Sequence, residues 1–201
     1  LFENWFHNRF LTSKKLDINL KIGLVRHFSV NYKFPRWCNS EIYNQEHSLY
    51  DQCDISVPST SLPIEGYSIC YTSTKKRAIE TGRILFRDKE IIPTPDLDEV
   101  PLKALFNVKF KLPLFIWNLL GRLGWFLSLS DVPENKRQTM KRNTQFISKI
   151  VKSNQGNILL VSHGFLMFSL QKELRKMGFK GKFFCFPQNG KLYEYHSIEK
   201  K

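Results

Sequence analysis

Two short apolar runs, Ile22 to Val25 and Ile158 to Val161, constrain this chain more than any other feature. Neither carries a polar side chain. Each stops abruptly, the first in Arg26-His27 and the second in Ser162-His163-Gly164. Runs this short, bounded by charge or a turn residue, read as buried strands. A strand buried on both faces needs helices above and below it, which is the setting of a parallel sheet.

The rest of the chain supplies those helices. Ser40 could cap a short helix to about Tyr50, with Ile42, Tyr43, Glu46 and Leu49 at helical spacing. Tyr67 to Tyr71 reads as a strand. Thr72-Ser73-Thr74 is placed to cap a helix from Lys75 to Phe86, with Ala78, Ile79, Gly82 and Leu85 on its inner stripe. Glu90 to Thr94 is a strand stopped by prolines. Asp131-Val132-Pro133-Glu134 reads as the start of a helix reaching Ser153, and Gly156 ends it. A helix from Phe165 to Met177 follows the second apolar run. Lys182–Phe186 and Lys191–Tyr195 flank Asn189-Gly190, a turn signal for a hairpin or two sheet neighbours. Strands alternating with helices give an α/β fold, a three-layer α/β/α sandwich with a mainly parallel central sheet.

At 201 residues the chain reads as one domain spanning 1–201. Residues 1–20 form an N-terminal arm, and the Leu at position 1 fits a trimmed or incomplete start. Residues 106–132 read as an inserted lid or cap. Within that segment Pro113 to Ser130 is strongly apolar but broken by Gly121, Arg122 and Gly124. A hydrophobic lid, an interfacial helix and an ordinary core helix all fit it; a membrane span does not.

The formal net charge of +13 implies attraction to anions. No nucleic-acid motif accompanies it, so a generally basic surface is read and no nucleic-acid partner is expected. The four cysteines are scattered without a Cys-x-x-Cys pair, which fits reduced thiols in the cytoplasm. Cys70 and Cys185 lie in strand-like runs, where a thiol is usually buried and inert.

The chemistry gathers where strands end. In open α/β sheets ligands bind beyond the carboxyl ends of the strands. If the two apolar strands are neighbours, Arg26, His27 and His163 share one rim, and Arg77, early in a helix that follows a strand, points to it. Two guanidinium groups and two imidazoles suit a tetrahedral dianion such as phosphate. Histidine can act as the covalent nucleophile of phosphoryl transfer. A carboxylic acid must then protonate the leaving oxygen, and Asp96, Asp98 and Glu99 are the candidates.

Leu24-Val25-Arg26-His27, Thr72 to Thr81, Leu97-Asp98-Glu99 and Val161-Ser162-His163-Gly164, in that order, resemble the histidine phosphatase superfamily, the phosphoglycerate mutase-like proteins. The resemblance runs from about Ile22 to Tyr195. It implies His27 as the nucleophile that becomes phosphohistidine, Arg26, Arg77 and His163 as the phosphate clamp, and Glu99 as the proton donor. Ser73 and Thr81 would support the Arg77 block. It implies no metal and no cofactor. The expected partners are a small phosphorylated substrate or phosphoprotein and inorganic phosphate, with the chain a monomer or homodimer. The superfamily usually places Gly after the nucleophile; Phe28 stands there, and its bulk is expected to alter the pocket mouth. A mutase or phosphotransferase, a degenerate phosphate- or membrane-binding module, and a zinc hydrolase using His27 and His163 are the rival readings.

Overall fold

A computed structural model describes residues 20–59, 61–87, 89–129, 132–153 and 156–197. All of the proposed N-terminal arm except its last residue lies outside them. In chain order the strands are β1 (Lys21–Arg26), β2 (Ser29–Val30), β3 (Trp37–Cys38), β4 (Ile55–Ser56), β5 (Ile69–Thr72), β6 (Ile91–Pro93), β7 (Leu112–Pro113), β8 (Ile158–Ser162), β9 (Lys180–Gly181) and β10 (Leu192–His196). The helices are α1 (Ser40–Gln52), α2 (Lys76–Leu85), α3 (Leu114–Leu127), α4 (Lys136–Lys152) and α5 (Gly164–Lys176).

The main sheet runs β6-β5-β8-β1-β10-β9. The two apolar runs are its centre, paired in parallel with Leu24 opposite Leu160 and Arg26 opposite Ser162. β5 and β6 extend the parallel part, and β10 and β9 close the other side antiparallel. Because side chains alternate across a strand, Ile22, Leu24, Ile158 and Leu160 face one core with Phe146, Ile147 and Ile150 of α4 and Leu166, Met167 and Leu170 of α5. Val25, Leu159 and Val161 face the opposite core with Ala78 of α2. The three layers are therefore α4/α5, sheet and α2. A third cluster of Cys38, Tyr43 and Trp117 joins α1 to α3 at the side.

Several expectations shift. Helix α4 begins at Lys136, because Asn135 and Gln138 form a reciprocal capping box. Asn39, not Ser40, caps α1 by accepting from the Ile42 N–H. α2 has no side-chain cap, because Ser73 and Thr74 turn their hydroxyls to Asp98. The segment from Lys182 to Phe186 is not a strand; β10 pairs instead with Lys180–Gly181. That leaves Cys185 exposed, whereas Cys70 is buried as expected. The turn at Gly190, with φ of +64°, follows the turn signal read from Asn189-Gly190.

Candidate active site

The carboxyl ends of β1, β5 and β8 open on a cavity of about 540 Å³. Its wall includes Arg26, His27, Arg77, Glu99 and His163, so folding brings together all five residues singled out from sequence. The two imidazoles face each other with ring centroids 5.1 Å apart. His27, Arg77 and His163 are only 2%, 5% and 1% exposed. Six buried side-chain polar atoms among the described residues have no hydrogen-bond partner, and three of them are Arg26 Nε, Arg77 Nε and His163 Nδ1. Uncompensated buried polar atoms are costly, and the two guanidinium nitrogens, both donors, suit an anionic ligand.

His27 is held by its neighbours at every polar point but one. Its N–H donates to the Ser162 carbonyl, continuing the β1–β8 ladder. Its carbonyl accepts from Asn189 Nδ2 at 2.8 Å. Ring Nδ1 lies 2.6 Å from the Phe28 carbonyl, which can only accept, so Nδ1 carries the proton. The lone pair is then on Nε2. Burial first, and then the charge of Arg77, push the His27 pKa down to about 3. The ring is neutral across the physiological range, as a nucleophile must be.

Phe28 does not line the cavity. It is buried, and a Cβ on Gly190 would meet its ring at 2.9 Å. Its bulk is absorbed by the bare Gly190 turn. Its N–H donates to Thr81 Oγ1, which in turn donates to the Arg77 carbonyl, so Thr81 ties the loop after His27 to α2.

His163 is oriented from the side of α2. Ser73 Oγ donates its one proton to Asp98 Oδ1 at 2.6 Å and accepts from the Lys75 N–H. The imidazole Nε2 lies 2.7 Å from the same oxygen and must therefore be the donor. Asp98 also accepts from the Thr74 N–H and hydroxyl. Its carboxylate is committed to positioning Ser73, which separates it from Glu99 despite their adjacency. Burial, followed by the charges of Arg77, His27, Lys75 and Arg26, holds His163 well below its ordinary pKa.

Glu99 reaches over the start of α5. Oε2 accepts from the Phe165 N–H, and Oε1 accepts from the Leu166 and Val100 N–H groups. It supplies the cap that His163, at the N-cap position, does not. Arg26 lies against the same helix start, where a Cβ on Gly164 would come within 3.3 Å of its guanidinium carbon, and it donates to the Pro187 carbonyl.

Asp51 was not singled out from sequence. One oxygen takes Arg77 Nη1 at 2.6 Å and the other takes Lys75 Nζ at 2.6 Å. Burial alone would raise its pKa, but these two donors hold it lowered. It sits near the end of α1 with no local motif, so only the packing of α1 on α2 could reveal it. Asn189 was likewise read only as part of a turn.

The 106–132 segment contributes Leu114, Asn118 and Arg122 to the cavity wall through α3. Trp117 does not face the cavity: it is fully buried against Tyr43 and donates to the Cys38 carbonyl. Trp125 packs on Phe165 and donates to Thr139. Neither tryptophan lines the cavity, where the segment's polar contributions are Asn118 and Arg122. Among the described residues no group of three His, Cys, Asp or Glu side chains is placed to hold a metal, which leaves the zinc reading without a ligand set. No helix among them is long and apolar enough to cross a membrane.

No curated protein matches the sequence. Among solved structures, phosphoglycerate mutase from Bacillus anthracis superposes with a TM-score of 0.56 at 17% identity, over 94% of this chain and 95% of that one. Phosphoserine phosphatase from Entamoeba histolytica, in complex with 3-phosphoglyceric acid, gives 0.52 at 16% identity, over 90% and 98%. Mycobacterial glucosyl-3-phosphoglycerate phosphatase gives 0.52 at 15%, over 87% and 88%. At such identities these likenesses speak for the fold. The profile of the histidine phosphatase superfamily (branch 1) matches residues 60–198, a span that opens after Arg26-His27 and takes in Arg77, Glu99 and His163. With more than half its length matched, the chain belongs to the histidine phosphatase superfamily.

Proposed function

We propose that the chain is a metal-independent phosphomonoesterase that works through a phosphohistidine on His27. One observation carries this reading: the Phe28 carbonyl fixes the His27 proton on Nδ1 and leaves Nε2 bare inside the cationic cradle. In the first displacement Nε2 attacks phosphorus and the ester P–O bond breaks. The alkoxide leaves with a proton from Glu99. Oε1 already accepts two N–H groups and Oε2 only one, so Oε2 is the oxygen with room for that proton. In the second displacement the Glu99 carboxylate takes a proton from water, the resulting oxygen attacks phosphorus, and the P–N bond returns its electrons to Nε2.

Arg26 and Arg77 neutralise the phosphoryl oxygens throughout. His163 has its proton on Nε2, so it can donate to phosphate through Nδ1 only as the imidazolium. A phosphomonoester monoanion, whose second pKa is near 6, can bring that proton with it. Substrate is a small phosphorylated molecule or a phosphoprotein, and no cofactor is required. The segment 106–132 acts as the cover of one domain, and the four unpaired cysteines support a cytoplasmic setting.

Rapid quenching with a 32P-labelled phosphomonoester should trap label on His27, and His27→Ala should abolish both label and turnover. A fully active His27→Ala enzyme would sink the proposal. Transfer of label to a second hydroxyl in place of release as free phosphate would mark a mutase.

A further inference from the structure

The outward face of α3 has no role in the site. Phe115, Leu119, Leu123, Phe126 and Leu127 recur at helical spacing and are between 47% and 66% exposed. The opposite face is the buried one, with Trp117, Gly121 and Gly124 turned to the protein. Eight of the fourteen exposed large apolar side chains among the described residues lie between Phe106 and Leu129. Trp37, also exposed, is brought beside them because β3 pairs with β7, opposite Pro113 at the foot of α3. Scattered surface apolar residues need no explanation, but a contiguous set marks an interaction surface.

The charge around the stripe says what covers it. From Val100 to Leu129, thirty residues, there is no Asp or Glu, while Lys103, Lys109, Lys111 and Arg122 are present. Lys103, Lys109 and Lys111 are exposed, as is Arg36, whose carbonyl accepts from the Leu114 N–H at the start of α3. Lys136 Nζ stands 4.1 Å from the Phe126 ring centre. A second copy of this chain would bring two such basic rims together, at a Coulombic cost. An anionic surface would be attracted. A helix of fourteen residues is about 21 Å long, too short to cross a bilayer but suited to lie in its interface.

We propose that the outer face of α3 docks on anionic phospholipid membranes, with the leucine and phenylalanine stripe in the headgroup region and the surrounding lysines against the lipid charge. The same helix presents Asn118 and Arg122 to the cavity, so docking sets the cover of the site at the lipid surface. The proposal is independent of the phosphatase reading.

The test is flotation of the full chain with vesicles of phosphatidylcholine alone and with about 30% phosphatidylserine, a composition within the physiological anionic range. Binding is expected to the anionic vesicles only and to weaken with salt. The double variant Leu119→Glu/Phe126→Glu should lose binding by about tenfold or more while keeping its circular dichroism spectrum and its rate on a soluble phosphoester. Lys109→Glu/Lys111→Glu should weaken binding with the stripe intact. Equal flotation of wild type and both variants would overturn the proposal. So would a dimer that ignores vesicles and is dissociated by the Leu119/Phe126 pair, which would give the stripe to a second copy. A monomer that floats with neither vesicle would overturn it too.

Discussion

The floor and the cover of the cavity are built by different means. The floor hangs from β1, β5 and β8, strands locked by parallel ladders and covered by helices on both faces. Each of its side chains is placed by a register that cannot slip without turning the whole strand over. The cover hangs from α3, which meets the body through the small cluster of Cys38, Tyr43 and Trp117, through Trp125, and through Arg122, which donates to the Val100 carbonyl and lies over the Phe165 ring. The floor thus fixes its charged groups through strand register, whereas the cover is one helix set beside them. A floor fixed by strand register would suit a reaction common to many esters, and a cover built from a single helix would suit discrimination among them.

Four substitutions or conditions would sharpen or break this contrast. Arg77→Ala should have the largest effect, about 1,000-fold or more in kcat on any phosphoester, since it removes a guanidinium from the transferring group; steady-state kinetics on several esters would check it. A small, substrate-dependent loss would mean that the floor does not act as a unit. Next, Leu160→Ala at the sheet centre should cost about 2–5 kcal/mol of stability, whereas Leu119→Ala on the outside of α3 should cost less than about 0.5 kcal/mol. Denaturant unfolding of both would show whether the floor is the stable part.

Third is acid. The folded His27 pKa is about 3, against an ordinary value of 6.5. Between those values the unfolded chain binds more protons than the folded one, so stability should fall as pH falls from 6.5 towards 3. His27→Ala should make that slope shallower, leaving the share of His163, whose pKa is also lowered, as read by melting temperature against pH. The smallest effect belongs to the cover: Arg122→Ala should raise KM several-fold for esters carrying a second anionic group and leave kcat nearly unchanged. A fall in kcat for all substrates would move Arg122 from cover to floor.

What could be read from sequence divides along similar lines. The floor was legible because its residues terminate apolar runs or open helices, and a parallel sheet has one carboxyl edge to gather them. That Arg26, His27, Arg77 and His163 share one rim follows once the two apolar strands are neighbours, a condition left open in sequence and met by the β1–β8 ladder. The supports were not legible. Asp51 belongs to α1 and reaches Arg77 only by tertiary packing. Ser73 and Thr74 looked like helix caps, because a hydroxyl just before a helix usually is one; Asp98 diverts them. Glu99 caps a helix sixty-six positions away, which no local pattern signals. The apolar 113–130 segment remained ambiguous in sequence because its two helical faces are both hydrophobic, and only burial distinguishes them.

The turn between Pro187 and Gly190 carries one more consequence. Its amide and Asn189 side chain hold the carbonyls of Arg26 and His27. During synthesis, Arg26 and His27 emerge from the ribosome long before that turn does. A nascent polypeptide halted short of Gln188 has all five cavity residues and both partners of the β1–β8 ladder, but lacks the two donors that hold the Arg26 and His27 carbonyls. That clasp therefore closes only when β10, the last of the described strands to be made, takes its place beside β1.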